Sequence, residues 1–346
     1  MKKLIFFILF FNFINIISAQ DLFYDIRVTH FFDNREYENP YCDPQTLFGI
    51  RFSPELGWKK TDREGSTHFV KLGVHYLQPL GAPIQMGQWD PIIYYQYQKK
   101  GYNLHFGIIP YQKLIEKLPL YVKSDSISYQ YPNINGALFQ YKGDHGFFEG
   151  ILDWRGAMSS QTREAFRVIL KGRYYIHNFS IGGITFLNHL SNKAPTEPKE
   201  GVCDDYFVSP EIGFHLTKNK ILDTTSIKVA YLFGSTRERI TNKQYQAHGI
   251  GIDLFLKWKY LGFNNSFYWG DNLFPFYEKY NSTLHLGDPF YRATRYNKTS
   301  LILYLVQKEF VTCSFSWNFH FLKGYPVGHQ QLLQVQIDLD KLTFKH

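Results

Sequence analysis

Residues 310–342, FVTCSFSWNFHFLKGYPVGHQQLLQVQIDLDKL, decide the fold. Val311, Cys313, Phe315, Trp317, Phe319 and Phe321 form one apolar set, and Thr312, Ser314, Ser316, Asn318 and His320 alternate with it as a polar one. A turn-like segment, Lys323-Gly324-Tyr325-Pro326-Val327-Gly328, leads to a second run with the same period. There Leu333, Val335, Ile337 and Leu339 alternate with Gln334, Gln336, Asp338 and Asp340. Two period-2 runs around a Gly/Pro turn predict a β-hairpin with one apolar and one polar face. What the apolar face touches is the question the rest of the chain answers.

The pattern recurs throughout. Ile26, Val28, His30 and Phe32 alternate with Arg27, Thr29, Phe31 and Asp33, and similar runs follow at 48–53, 70–76, 91–98, 104–109, 136–141, 147–155, 166–173 and 179–189. They continue at 206–216, 227–233, 250–259, 262–269 and 299–306 before the closing hairpin. This makes about sixteen strands, with fourteen to eighteen allowed by two ambiguous joins, 59–66 and 217–225. The joins also alternate in length: 99–101, 143–145, 175–177, 259–261 and 307–309 are short, whereas 34–45, 110–135, 190–204 and 270–298 are long. A soluble sandwich has no reason to sort its loops by side. A transmembrane β-barrel does, with short periplasmic turns and long extracellular loops. The expected fold class is therefore all-β, an antiparallel transmembrane barrel whose last strand pairs with residues 26–32 and so removes the sheet edges.

Composition agrees. Of 346 residues, 26 are Tyr and 32 Phe, with three Met and three Cys, which suits pleated strands better than helices. Residues 1–20 stand apart: Lys2 and Lys3, an apolar run over 4–17, then Ser18-Ala19-Gln20 read as a secretory signal. Residues 21–346 then form a single barrel domain, with no later apolar run of the ~18 residues that a spanning helix needs. The net charge of +8 falls to about +6 without Lys2 and Lys3, which favours anionic headgroups or solutes over nucleic acid in an exported protein. Cys42 and Cys203 lie in expected loops where a disulfide could form, while Cys313 sits on an apolar strand face. Residues 111–118, with Leu114, Ile115 and Leu118 at helical spacing, are a candidate short helix in a loop able to fold into the bore.

The aromatic-rich strands, the sorted loops and the Ser18-Ala19-Gln20 signal end resemble Gram-negative, Bacteroidetes-like outer-membrane β-barrel proteins of the porin type. The resemblance covers residues 21–346 and rests on pattern, since no diagnostic motif is present. Phe344 is followed by Lys345 and His346, so the final strand departs from the usual terminal aromatic. The resemblance implies a cell outer-membrane location, contact with outer-membrane lipids and lipopolysaccharide, handling by the barrel assembly machinery, and a possible homo-oligomer.

Charges embedded in strands should face the lumen, because Lys or Arg facing lipid at mid-membrane costs about 2–4 kcal/mol. This assigns Arg27, Arg51, Lys71, Arg167, Lys171, Arg173 and Lys257 to the interior, with Glu149, Asp153, Asp253 and Asp338. Lys228 joins them, and the balance is basic. Two clusters, Asp33 with Arg35 and Arg155 with Arg163, fall near the extracellular mouth. A water-filled lumen so lined would favour anions. The bland reading of the same residues is a filled barrel braced by salt bridges. Arg237 and Arg239 continue an outward row, which a bulge would reverse. Tyr94, Tyr95, Tyr97, Tyr174, Tyr175, Trp258, Tyr260, Trp269, Tyr304 and Trp317 are candidates for interfacial girdles.

The sequence expectation is thus a porin-like channel for passive diffusion of small hydrophilic, anionic solutes, with no cofactor, no metal and no enzymatic activity. A receptor acting through loops such as 270–298 is the alternative, and a barrel enzyme acting on lipids is a further one. Catalysis lacks motif support, as no Gly-x-Ser-x-Gly, His-Glu-x-x-His or Cys-x-x-Cys occurs. His75, His105, His189 and His320 are read as inward, and His189 with Ser191 or Asp204 is the best catalytic candidate.

Overall fold

The computed structural model describes residues 22–194, 201–217 and 222–341. The expected signal at 1–20 and the terminal Phe344 lie outside them. Sixteen antiparallel strands close into one barrel. In chain order they are β1 (Leu22–Glu36), β2 (Gln45–Thr61), β3 (Thr67–Pro79), β4 (Gln88–Lys99), β5 (Tyr102–Pro110), β6 (Asn133–Gly143), β7 (Gly146–Gly156) and β8 (Ala165–Ile176). The second half comprises β9 (Phe179–Leu190), β10 (Cys203–Thr217), β11 (Thr224–Glu238), β12 (Lys243–Trp258), β13 (Leu261–Gly270), β14 (Arg295–Gln307), β15 (Val311–Leu322) and β16 (Gly328–Asp338).

The opening hairpin is β15 and β16, paired from Val311 with Ile337 to His320 with Gly328. It stops at Asp338, and Leu339–Lys341 turn into a 3₁₀ segment, so Leu339 leaves the strand row. The last strand closes on the first as expected, with Val28 opposite Ile337 and Phe32 opposite Leu333. Every backbone edge is thereby paired, as a membrane-spanning sheet requires. The ambiguous join 59–66 resolves because β2 runs on to Thr61, leaving a tight turn at 62–66.

The bore is filled. Residues 111–132 and 271–294 fold inward and are zipped together by backbone hydrogen bonds, Ser124 N–H to the Leu286 carbonyl and Asp288 N–H to the Leu120 carbonyl, both 2.8 Å. They approach so closely that a side chain at Gly287 would meet the Tyr121 carbonyl at 2.5 Å. Tyr121, Val122, Phe274, Phe290 and Tyr291 from these loops pack with inward Ile109, Leu138, Ile151, Ile169 and Phe207 of the wall into one apolar core. The helix in the first loop is α1 (Asp125–Gln130), not the expected 111–118, because Ser124 caps it by accepting from Ile127 N–H. Residues 111–113 form only a 3₁₀ turn, and Leu114 and Leu118 pack onto the core. The second loop carries α2 (Tyr277–Leu284), tied to β11 where the Lys279 and Tyr280 side chains meet Glu238.

Candidate functional site

On the outer face the strands alternate as the pattern demands, and Leu152, Leu170, Val208 and Ile212 are among the exposed apolar residues of a lipid-facing belt. At its extracellular border the belt gives way to a cross-strand row of different chemistry. Trp154 on β7 pairs with Phe166 on β8, Phe166 with His189 on β9, His189 with Asp204 on β10, and Asp204 with Arg237 on β11. Trp154 stacks on Phe166 at 5.3 Å, and Phe166 stacks on the His189 ring at 4.9 Å. His189 Nδ1 lies 2.7 Å from Asp204 Oδ1, and Arg239 Nε donates to Asp204 Oδ2 at 2.7 Å. That bond holds the Arg239 guanidinium more firmly protonated. Arg237 Nη2 donates to Asn242 Oδ1 at 2.9 Å. β11 stays in register with β12 through Arg237, so no bulge reverses the outward row.

The chemistry follows from the geometry. A carboxylate against Nδ1 keeps the proton there and leaves the Nε2 lone pair free as an acceptor, the arrangement of an oriented general base. Phe166 fixes the ring plane, and Arg239 fixes the carboxylate. His189 thus faces outward. Its assignment to the interior is corrected, because the opposite row of β9, with buried Ile184, Phe186 and Asn188, is the one that packs inside.

Inside the barrel, the strand-borne charges assigned to the lumen do point inward, and most hold either one another or the loops. Arg27 pairs with Asp338 at 2.6 Å, Arg35 with Asp33 at 2.5 Å, and Lys171 with Glu149 at 2.6 Å. Arg173 is held by Glu116 and Glu211. Arg51 donates to the Ser128 and Tyr129 carbonyls, Arg167 to the Val122 carbonyl and Lys171 also to the Glu116 carbonyl, while Glu149 accepts from Ile115 N–H. Asp153 accepts from Tyr111, Asp253 from Ser266, and Lys257 donates to Gln307. Lys71 lies over the rings of Phe23, Phe69 and Tyr94. Arg155 and Arg163 line a cavity at the mouth. Three girdle candidates are corrected: Tyr94 is buried inside with its hydroxyl on Glu55, and Tyr175 and Tyr304 also lie on inward rows, over Glu116 and beside Lys257. Cys42, Cys203 and Cys313 are free thiols.

Two inward Ser–His pairs escaped the sequence reading. Ser53 Oγ lies 2.7 Å from His75 Nδ1, and Ser226 Oγ lies 2.9 Å from His215 Nδ1. Each joins neighbouring strands, so only the register could have revealed it. Ser53 and His75 are 4% and 1% exposed beneath the packed loops, which closes that pair to a bulky substrate.

A family model for proteins described as lipid A 3′-O-deacylase-type matches residues 14–346. The chain belongs to that family. No curated protein sequence matches it. Among solved structures it is similar to a mutant porin of Rh. blastica (9% identity, 92% of this chain and 99% of that chain, TM-score 0.51) and to OccAB4 of Acinetobacter baumannii (9%, 92% and 98%, 0.55). It is also similar to a loop-deleted OmpT of Vibrio cholerae (9%, 92% and 98%, 0.53). At such identities these likenesses establish the fold alone: an outer-membrane-type barrel of porin architecture.

Family membership overturns the expectation of a non-enzymatic barrel. The candidate site around His189 draws its members, at 166, 189, 204 and 239, from β8, β9, β10 and the residue after β11, with no local spacing for a motif to capture.

Proposed function

We propose that this chain hydrolyses an ester-linked acyl chain of a lipid A-type glycolipid in the outer leaflet, at the 3′ hydroxyl that the family description names. The observation that carries the reading is the His189–Asp204 pair on the lipid-facing side of the wall, at the level where apolar belt gives way to charge. Ester carbonyls of an outer-leaflet lipid lie at that same border. His189 Nε2 takes a proton from water as the water oxygen attacks the ester carbonyl, and Asp204 stabilises the imidazolium that forms. The tetrahedral intermediate collapses with cleavage of the bond to the sugar oxygen, and His189 returns the proton to that oxygen. Water and ester thus become fatty acid and sugar hydroxyl. Arg237 and Arg239 supply positive charge for the phosphate groups of such a headgroup. A passive channel is the weaker reading because the loops pack the bore, and in this account Arg51, Arg167, Lys171 and Glu149 serve as loop braces.

The test is mass spectrometry of lipid A incubated with the purified protein in detergent. Loss of one acyl chain is expected, with Asp204→Asn slower by about 10²–10⁴-fold. Intact lipid A with the wild type, or a full rate in Asp204→Asn, refutes the proposal.

A further inference from the structure

A second set of polar groups faces outward on a part of the wall well away from His189. Midway along β13, Asn265 sits on the outward row between apolar Phe263 and Phe267, while Ser266 and Tyr268 are buried inside. On β14, Asn297 and Thr299 share that face, which Leu301 and Leu303 continue. Asn265 Nδ2 donates to Asn297 Oδ1 at 3.1 Å and to Thr299 Oγ1 at 2.8 Å, and Asn297 Nδ2 donates back to Asn265 Oδ1 at 3.1 Å. An amide nitrogen carries two N–H groups. Among the described residues, Asn297 has no acceptor for its second.

On the other side of β15 and β16, His30 lies midway along β1, outward between Val28 and Phe32, while Phe31 is buried inside. Its ring meets Phe48 edge-on at 5.3 Å and makes no hydrogen bond among the described residues. Between these two flanks lie the outward rings of β15, where Trp317 stacks on Phe319 at 5.2 Å.

Hydrocarbon offers no partner to an imidazole or an amide N–H, and polar side chains in spanning segments characteristically face protein and bond across the contact. A second copy of this chain supplies what is missing. Copies inserted in one orientation and related by closed symmetry share an axis along the membrane normal, so the β1 side of one patch meets the β13–β14 side of the next. His30 accepts where Asn297 donates, and both flanks are centred near mid-strand. The β15 rings supply the large aromatic anchors that dominate protein contacts. β7 and β8 lie across the sixteen-strand barrel from β15 and β16, so such a contact leaves the His189 row facing lipid.

We infer that the outward face of β13–β16 and β1 is a contact between copies of this chain, with His30 of one copy accepting from Asn297 of the next. The inference rests on the chemistry of this wall and is independent of hydrolysis at His189.

The test is energy transfer between full chains carrying donor or acceptor dyes, mixed and assembled in liposomes at high lipid dilution. Transfer that excess unlabelled chain abolishes is expected. Asn297→Leu should weaken the association by about 3- to 10-fold, the effect of one lost hydrogen bond between spanning segments. His30→Leu serves, with the same expected loss, if disturbing the amide network prevents assembly as judged by heat-modifiable migration on gels. Leu170→Ala, on the far wall, should associate like the wild type. Absence of competable transfer, which would leave lipid or a different protein on this face, overturns the inference. Unchanged association in the assembled flank variants, or equal weakening by Leu170→Ala, does so too.

Discussion

On the inner side of β8, Arg167 and Lys171 reach across to backbone carbonyls of the loop at 111–132, whereas Phe166 on its outer side stacks against His189 beside Asp204 and Arg239. The two faces carry polar groups for different reasons. Inside, charge is spread over many strands and spent on holding two loops in the bore. Outside, the charged and imidazole groups of β9 to β11 gather at one height on the wall, above apolar Leu152, Leu170, Val208 and Ile212. A polar group on a lipid-facing wall carries a desolvation cost, so its concentration at one place is the stronger pointer to chemistry.

The sharpest way to break this contrast is on the inner side. Glu149 is 0% exposed, pairs with Lys171 at 2.6 Å and accepts from Ile115 N–H and Gln140 at 2.7 Å. Glu149→Ala leaves Lys171 buried without its carboxylate, and the unfolding free energy in detergent should fall by about 3–5 kcal/mol. A midpoint like that of the wild type would show that the inner charges are not braces.

On the outer side the effect should depend on depth. Leu170, midway along β8, faces lipid, and Leu170→Arg should cost about 2–4 kcal/mol in a bilayer. Ile337, one residue from the end of β16, should cost about 0–1 kcal/mol when changed to Arg. Equal costs would mean that the belt is misplaced.

The smallest effect concerns pH. Burial pulls the Lys123 amine down to about 7, where it donates to the Tyr131 carbonyl at 2.6 Å and lies over the Tyr111 ring. In the unfolded chain a lysine titrates near 10.4. Between those values the unfolded state binds more protons, so this residue's contribution makes stability rise with pH from about 7 to about 10.4. Denaturation midpoints at both ends of that window should therefore climb less in Lys123→Met than in the wild type. Parallel profiles would remove Lys123 as the source.

Where faces differ in polarity, the sequence was enough. Charge on one row and aliphatics on the other gave the parity of β1, β2 and β16 and the pairing of the last strand with the first, while the register, Val28 opposite Ile337, came from the structure. Parity failed where the filled bore makes the inner face apolar too. On β9, inward Ile184 and Phe186 look no different from outward Leu187, and His189 was misassigned; on β4, inward Ile92 and Tyr94 misled in the same way. His189 and Asp204 were legible as a pair because both flank one loop. Arg239 and Phe166 were not, since only strand register brings them together.

The central claim is that chemistry occurs on the outside of the wall, and comparing two histidines tests it most directly. Deacylation of lipid A should be timed for the wild type, His189→Gln and His75→Gln, each shown to be assembled. The account predicts that His189→Gln slows the reaction by about 10²–10⁴-fold while His75→Gln stays near the wild-type rate. A fast His189→Gln enzyme beside an inactive, assembled His75→Gln would contradict it and move the site into the barrel.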